Sequence, residues 1–124
     1  MKLSILPEEL AVCRLSSSDP LPAWALSAPG FTSFTRTRHE LSVVCEETFV
    51  PRGVKAERAW RALAVEGPLD FALTGILASL SAPLAAARIS LFAISTFDTD
   101  YLLVRESSLA AATETLRAAG FGVS

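Results

Sequence analysis

Two short polar segments of the 124-residue chain combine residue types that can hold opposite charges. The first, 67–71, reads Gly-Pro-Leu-Asp-Phe and precedes an apolar repeat typical of a helix, whose opening N–H groups lack internal partners and can hold an anion. The second, 95–100, reads Ser-Thr-Phe-Asp-Thr-Asp, whose carboxylates can accept from an ammonium or a guanidinium. The same residue types also form ordinary capped turns, so both interpretations stay open on physical grounds.

Residues suited to catalysis are few, and we expect that the chain is not an enzyme. Its one histidine, His39, lies between charged residues at an apparent hairpin turn, without a positioned partner for general base chemistry. Asp98 and Asp100 form a possible carboxylate pair for a lyase or hydrolase, but no nucleophile accompanies them. Two carboxylates are also too few for a hard cation, which takes about six oxygen ligands. We therefore expect no metal and no cofactor.

The composition indicates a soluble protein of one compact unit or two small halves. Hydrophobic residues make up 51% of the chain, enough for a substantial core. The formal charge of −2 lacks the basic excess that nucleic acid requires, so we expect no nucleic-acid partner. The N-terminus has no apolar signal run, which indicates a cytoplasmic protein in which Cys13 and Cys45 are buried free thiols. The uncharged run 71–87 suggests a membrane span, but its polar residues and Pro83 favour a buried helix instead.

The second half of the chain shows a regular order of elements. A strand at 60–65 ends at Gly67-Pro68, and leucines and isoleucines at three-and-four spacing then predict a helix that ends before Arg88. Two strands, 89–94 and 101–104, flank the second polar segment. A helix follows, with Gly120 placed to end it in a left-handed turn, and 121–123 can form a last strand. The order βαββαβ predicts an α+β, ferredoxin-like layer of sheet against helices.

The first half is a weaker copy of the same pattern. Strands are predicted at 10–15, 31–37 and 41–45, with a short helix from Asp19 to about Leu26 and no second helix. We therefore divide the chain into an abbreviated half, 1–57, and a full domain, 58–124. Because halves this small bury little apolar area alone, we expect them to pack as one unit or to be completed by a partner chain.

The segments 66–71, 74–77 and 94–104 together resemble the ACT-domain family, in particular small bacterial tandem-ACT proteins related to the regulatory region of aspartate kinase and to cytosolic arginine sensors. The resemblance covers most of the chain and is strongest after Ala56. It implies a ferredoxin-like ACT domain, preceded by an abbreviated ACT-like half, that regulates partners by binding a small amino acid. A homodimer is also implied, since such domains commonly bind ligands between paired copies.

The resemblance also assigns ligand-binding residues on both polar segments. One wall consists of Leu69, Asp70, Phe71, Thr74, Gly75 and Ile76, and the opposite wall of Thr96, Phe97, Asp98 and Asp100. At Gly75 we expect close helix packing that leaves no space for a side chain. The abbreviated half offers no clear copy of either motif, so we expect one site per chain. The alternative is a structural or interaction module that forms a homodimer without a small-molecule ligand.

Overall fold

The computed structural model describes residues 1–67 and 74–124, which group into two compact units. The first unit comprises Glu8–Trp60, and the second comprises Met1–Pro7 together with Arg61–Ser124. The strands are β1 (Lys2–Ile5), β2 (Leu10–Leu15), β3 (Ser33–Arg36), β4 (Leu41–Glu46), β5 (Ala56–Val65), β6 (Phe92–Ser95), β7 (Asp100–Arg105) and β8 (Gly122–Val123). The α-helices are α1 (Ala23–Leu26), α2 (Ile76–Ala86) and α3 (Leu109–Ala118), and short 3-10 helices span Glu47–Phe49 and Glu106–Ser108.

The first unit is an antiparallel sheet in the order β3-β4-β2-β5. Strands β2 and β4 pair along their whole length, from Leu10 opposite Glu46 to Leu15 opposite Leu41. Alternating residues of these strands point to one face and form a core of Ala11, Cys13, Ala25, Leu41, Val43, Cys45 and Val50. Among the described residues, the four-residue α1 is the only α-helix that covers this core. It begins at Ala23, later than the start predicted at Asp19, because Pro20 and Pro22 interrupt the segment between.

The second unit has the predicted α+β, ferredoxin-like βαββαβ order, which confirms the fold class. Its strands lie in the order β6-β7-β5-β1-β8. The sequence did not predict β1, which inserts between the first and last strands of the motif. It runs antiparallel to β5, with Leu3 opposite Val65, and parallel to β8, with Leu3 opposite Val123. Residues 1–7 are thus part of the second unit, although we had counted them with the first half.

A leucine-rich core joins the sheet and the two helices of the second unit. Its fully buried side chains include Leu80 and Leu84 of α2 and Leu116 of α3, each contributing about 1.5 to 3 kcal/mol of burial free energy. The end of α3 follows the prediction, because Gly120 takes φ +99° and the Phe121 N–H donates to the Leu116 carbonyl at 3.0 Å. Helix α2 ends at Ala86, before Arg88, also as predicted.

Candidate functional site

The loop between β6 and β7 is closed by its own hydroxyl and backbone groups. The Thr96 N–H donates to the Thr99 carbonyl at 2.8 Å, and the Thr99 N–H donates to the Thr96 hydroxyl at 3.3 Å. At the base of the loop, the Ser95 hydroxyl donates to the Asp100 carboxylate at 2.6 Å. Thr96 and Asp100 therefore hold the loop in shape, which is the role that the capped-turn interpretation gives them.

Thr99 anchors this loop to the end of β5. Its hydroxyl donates to the carbonyl of Val65 at 2.7 Å, across 34 positions of sequence. Val65 is the last residue of β5, directly before the segment that leads to α2. The bond thus holds the 95–100 loop beside Val65, two residues before the 67–76 segment begins. We had not selected Thr99, because its role depends on which carbonyl the fold brings within reach.

The two central side chains of the loop point to solvent. Phe97 is 80% exposed, which is unusual for a large aromatic ring. Asp98 is exposed as well, and neither a hydrogen bond nor an ion pair connects its carboxylate to any residue in the described part of the chain. Of the two carboxylates in the loop, Asp98 is therefore available to a ligand, whereas Asp100 is already bonded to Ser95.

The other predicted wall begins at the N-terminus of α2. Gly75 is its N-cap residue, with φ +78°, and its carbonyl accepts the Ser79 N–H at 2.8 Å. No side chain of the described residues caps this helix, and the N–H groups of its first turn have no acceptor within the helix. Thr74 is exposed, and Ile76 is half-buried against the leucine-rich core.

The reason that we gave for glycine at position 75 is wrong. A Cβ built there meets no atom of the described residues within 4 Å, so space is not the constraint. The constraint is the positive φ, which residues with a side chain rarely adopt. The remaining predicted residues of this wall, Leu69, Asp70 and Phe71, lie outside the described residues, and their roles stay predictions.

The residues that suggested other chemistry have structural roles. His39 is exposed in the turn between β3 and β4. Its backbone N–H donates to the Thr37 hydroxyl at 3.1 Å, and its backbone carbonyl accepts from the Arg14 guanidinium at 3.0 Å. Cys13 and Cys45 are buried free thiols, as predicted. Burial and the nearby Cys45 raise the pKa of Cys13 to about 11, while burial and Glu46 raise the pKa of Cys45. Both thiols are therefore inert at neutral pH.

Residues 1–67 and 74–124 contain neither a metal-binding cluster nor a membrane-spanning helix. No group of three or more His, Cys, Asp and Glu side chains in these ranges could hold a metal ion. No helix in the same ranges is both long enough and apolar enough to cross a membrane.

The fold defines the class of the protein: a ferredoxin-like α+β module whose 95–100 loop is held to the end of β5. A model of the ACT domain matches residues 55–118, half of the chain, and the chain therefore belongs to the ACT-domain family. A second family model, of an N-terminal domain, matches residues 8–53. The two matches meet near the N-terminus of β5.

Curated proteins similar to this chain include cytosolic arginine sensors. The cytosolic arginine sensor for mTORC1 subunit 1 of Homo sapiens, like that of Bos taurus, is 44% identical over 59 residues. The match covers 47% of this chain and 18% of the sensor. The matched residues thus span less than a fifth of the length of these relatives.

Solved structures extend the similarity over nearly the whole chain. An X-ray structure of a protein from Agrobacterium tumefaciens has a TM-score of 0.93 and 41% identity, covering 99% of this chain and 91% of that one. The regulatory subunit of aspartate kinase from Thermus thermophilus has a TM-score of 0.66, covering 95% of this chain and 96% of that subunit. Its identity is only 8%, so this second likeness concerns the fold.

Proposed function

We propose that the chain is a regulatory module that binds a small amino acid between the loops 67–76 and 95–100. The observation that carries the proposal is the hydrogen bond from the Thr99 hydroxyl to the Val65 carbonyl, because it holds the 95–100 loop at the end of β5, two residues before the 67–76 segment begins. The predicted ligand-binding residues on both loops belong to this proposal. The proposed role is regulation without catalysis.

The positive pole of an amino acid has a partner in this arrangement. Asp98 is exposed and makes no ion pair with any residue that the structure describes, so an ammonium or guanidinium group can approach its carboxylate. Bonds between charged groups are about twice as strong as neutral ones. The exposed ring of Phe97 lies next to Asp98 in sequence and offers an apolar surface for the body of the ligand.

The negative pole has a partner in the first turn of α2. Its N–H groups have no side-chain cap among the described residues, and the helix dipole favours an anion there. Gly75 also lacks a side chain that would obstruct the approach to these groups. A ligand carboxylate at α2 and a ligand ammonium at Asp98 would use both polar loops.

The relatives suggest which amino acids to test first. One group is named as a sensor of arginine, and a fold relative, aspartokinase III of E. coli, was solved in complex with aspartate. Arginine and aspartate are therefore the first probes, followed by the other common amino acids. We also expect a cytoplasmic homodimer.

A thermal-shift screen of the intact chain tests the proposal. A bound amino acid raises the melting temperature, because it stabilises only the folded state. For the amino acid that binds, Asp98→Asn should weaken the affinity measured by isothermal titration by about 1.5 to 3 kcal/mol. Glu9→Gln is the matched control, since it removes another exposed carboxylate in the other unit.

Two outcomes would contradict the proposal. One is a flat screen with all twenty amino acids at concentrations of several millimolar. The other is a binding amino acid whose affinity is the same for the Asp98→Asn variant and the unchanged chain. A flat screen together with a homodimer in analytical ultracentrifugation would favour the alternative, an interaction module without a small-molecule ligand.

A further inference from the structure

A second cavity lies along α3, and none of the predicted ligand-binding residues lines it. Its volume is about 570 Å³, within the range of small-molecule sites. Six of its lining residues repeat at three-and-four spacing along one face of the helix and the turn before it: Glu106, Leu109, Ala110, Thr113, Glu114 and Arg117. We call this cavity the α3 groove.

The α3 groove has an apolar side. Ile5, from the end of β1, lines it opposite the helix residues. Ile5 and Leu109 are only partly buried, although both pack against the core of the second unit. An apolar group placed in the groove would remove the remaining surface of these two side chains from water.

One polar side chain in the α3 groove is open to a new hydrogen bond. Thr113 is 9% exposed, and it is the buried polar residue of the described core. Its hydroxyl makes no hydrogen bond to any residue in the described ranges, and it is not one of the fully buried polar atoms there, so the groove leaves it in contact with water. A ligand in the groove could replace that water, because a hydroxyl both donates and accepts.

Three charged residues line the α3 groove, and one of them is held in an ion pair. Glu106 is bonded to Arg61 at 3.0 Å. Glu114 and Arg117 lie three positions apart on the same helix face, yet no salt bridge joins them. Arg117 donates from one guanidinium nitrogen to the Val123 carbonyl at 2.7 Å, which fixes its position and leaves its other donors for a ligand. One carboxylate and one guanidinium thus remain available.

From these observations we infer that the α3 groove is a second small-molecule site, for a small zwitterion with an apolar body. The ligand ammonium binds Glu114, its anionic group binds Arg117 and Thr113, and its apolar body lies against Ile5 and Leu109. The inference does not depend on the proposed site at the two polar loops, because no residue is shared between them.

Titration of the nitrogen-15 labelled chain, followed by NMR, tests the α3 groove with four probes. L-phenylalanine carries both charges and an apolar body, phenethylamine lacks the carboxylate, 3-phenylpropionate lacks the amine, and glycine lacks the body. We expect L-phenylalanine to shift the amide signals of 109–117 and to bind at least about tenfold more tightly than the other three.

Two variants test the named contacts. Glu114→Gln should weaken L-phenylalanine about tenfold or more, and the Glu9→Gln control should leave binding unchanged. Thr113→Val has nearly the same shape but no hydroxyl, so it should weaken binding about fivefold while the melting temperature changes little. A purely structural role for Thr113 would leave the affinity unaltered.

The location of the shifted signals separates this inference from the proposed function. Two results would overturn the proposal of a site in the α3 groove. One is a set of shifts confined to 95–100, and the other is no shift of 109–117 at 20 mM L-phenylalanine, about the limit that a specific weak site would need. Shifts of 109–117 that persist in Asp98→Asn would support it. Equal binding of phenethylamine and L-phenylalanine would overturn the role of Arg117.

Discussion

The two units of the molecule use their polar groups in different ways. In the first unit, Glu8–Trp60, charged side chains hold its own loops. The Arg58 guanidinium donates to the carbonyls of Glu47, Val50 and Pro51, and the Glu47 carboxylate accepts the Ala59 N–H at 2.7 Å. Arg36 likewise donates to the carbonyls of Ser17 and Asp19.

The second unit leaves comparable groups open. Asp98 and Glu114 make no ion pair among the described residues, the Thr113 hydroxyl has no partner there, and the first turn of α2 has no side-chain cap. The described loops of the first unit are thus held by charged side chains, whereas the second unit leaves Asp98, Glu114 and the first turn of α2 within reach of the ligands that we propose.

The largest expected effect on stability comes from substitutions in the two hydrophobic cores, one in each unit. Leu84→Ala in the second unit and Leu41→Ala in the first each remove a fully buried side chain, and each should cost about 2 to 5 kcal/mol in the free energy of unfolding. Urea unfolding measures the loss. Hydrogen exchange should show that each variant loses amide protection mainly in its own unit.

The same pattern of lost protection in both variants would contradict this prediction. It would mean that the two cores open as one cooperative unit, and the comparison between the units would then concern only their surfaces.

The order of elements in the second unit could be predicted because it depends on local patterns. The helix stripe of α2, the left-handed turn at Gly120 and the two strands around 95–100 are all visible within windows of about fifteen residues. Strand β1 could not be predicted in the same way. Its four residues become a strand only through Val65 and Val123, which are distant in sequence.

The candidate site residues also divide into those with a local sequence signal and those without one. Asp98 and Gly75 were predicted from a resemblance that reads local sequence, although the physical reason for Gly75 was wrong. Thr99 and Thr113 were not selected, because a threonine in a turn and one in a helix have no special local signal. Their roles depend on the position of the Val65 carbonyl and on the α3 groove, and only the folded chain provides these.

The next prediction concerns the pH dependence of the stability of the first unit, whose core contains Cys13. Because the pKa of Cys13 rises from 9.0 to about 11 on folding, the thiol stays protonated in the folded state while it ionises in the unfolded state. Stability is therefore fully present below pH 9 and falls as the pH rises toward 11, by about 2 to 3 kcal/mol for a shift of this size.

Urea unfolding at pH 8 and at pH 11 measures this loss. The control is Cys13→Ala, which lacks the thiol and should lose less stability over the same interval, although other groups titrate in both proteins. Identical losses would show that Cys13 ionises as easily in the folded chain as in the unfolded one.

A smaller effect compares one glycine from each unit. Gly75 has φ +78° and Gly53 has φ +92°, and in neither case does a built Cβ meet an atom of the described residues within 4 Å. Replacement by alanine should therefore cost about 1 kcal/mol or slightly more at each position, from backbone strain alone. Thermal melts measure this cost, while titration with the amino acid found in the screen measures binding.

The two alanine variants should differ only in binding. Gly75→Ala disturbs the N-terminus of α2 and should weaken the amino acid, whereas Gly53→Ala should leave its affinity unchanged. Equal affinities for both variants would remove Gly75 from the site.

The smallest effect concerns Ala59, where β5 carries a bulge. The register passes from Leu10 opposite Trp60 to Val12 opposite Glu57, so β5 holds one extra residue, and Ala59 takes φ +63°. Glycine adopts this conformation without strain, and Ala59→Gly should stabilise the first unit by up to about 1 kcal/mol. Ala56→Gly, in the same strand at a residue without positive φ, should instead destabilise by about 0.5 to 1 kcal/mol. Opposite signs in urea unfolding would show that the bulge is strained, whereas equal losses would show that alanine fits the bulge without strain.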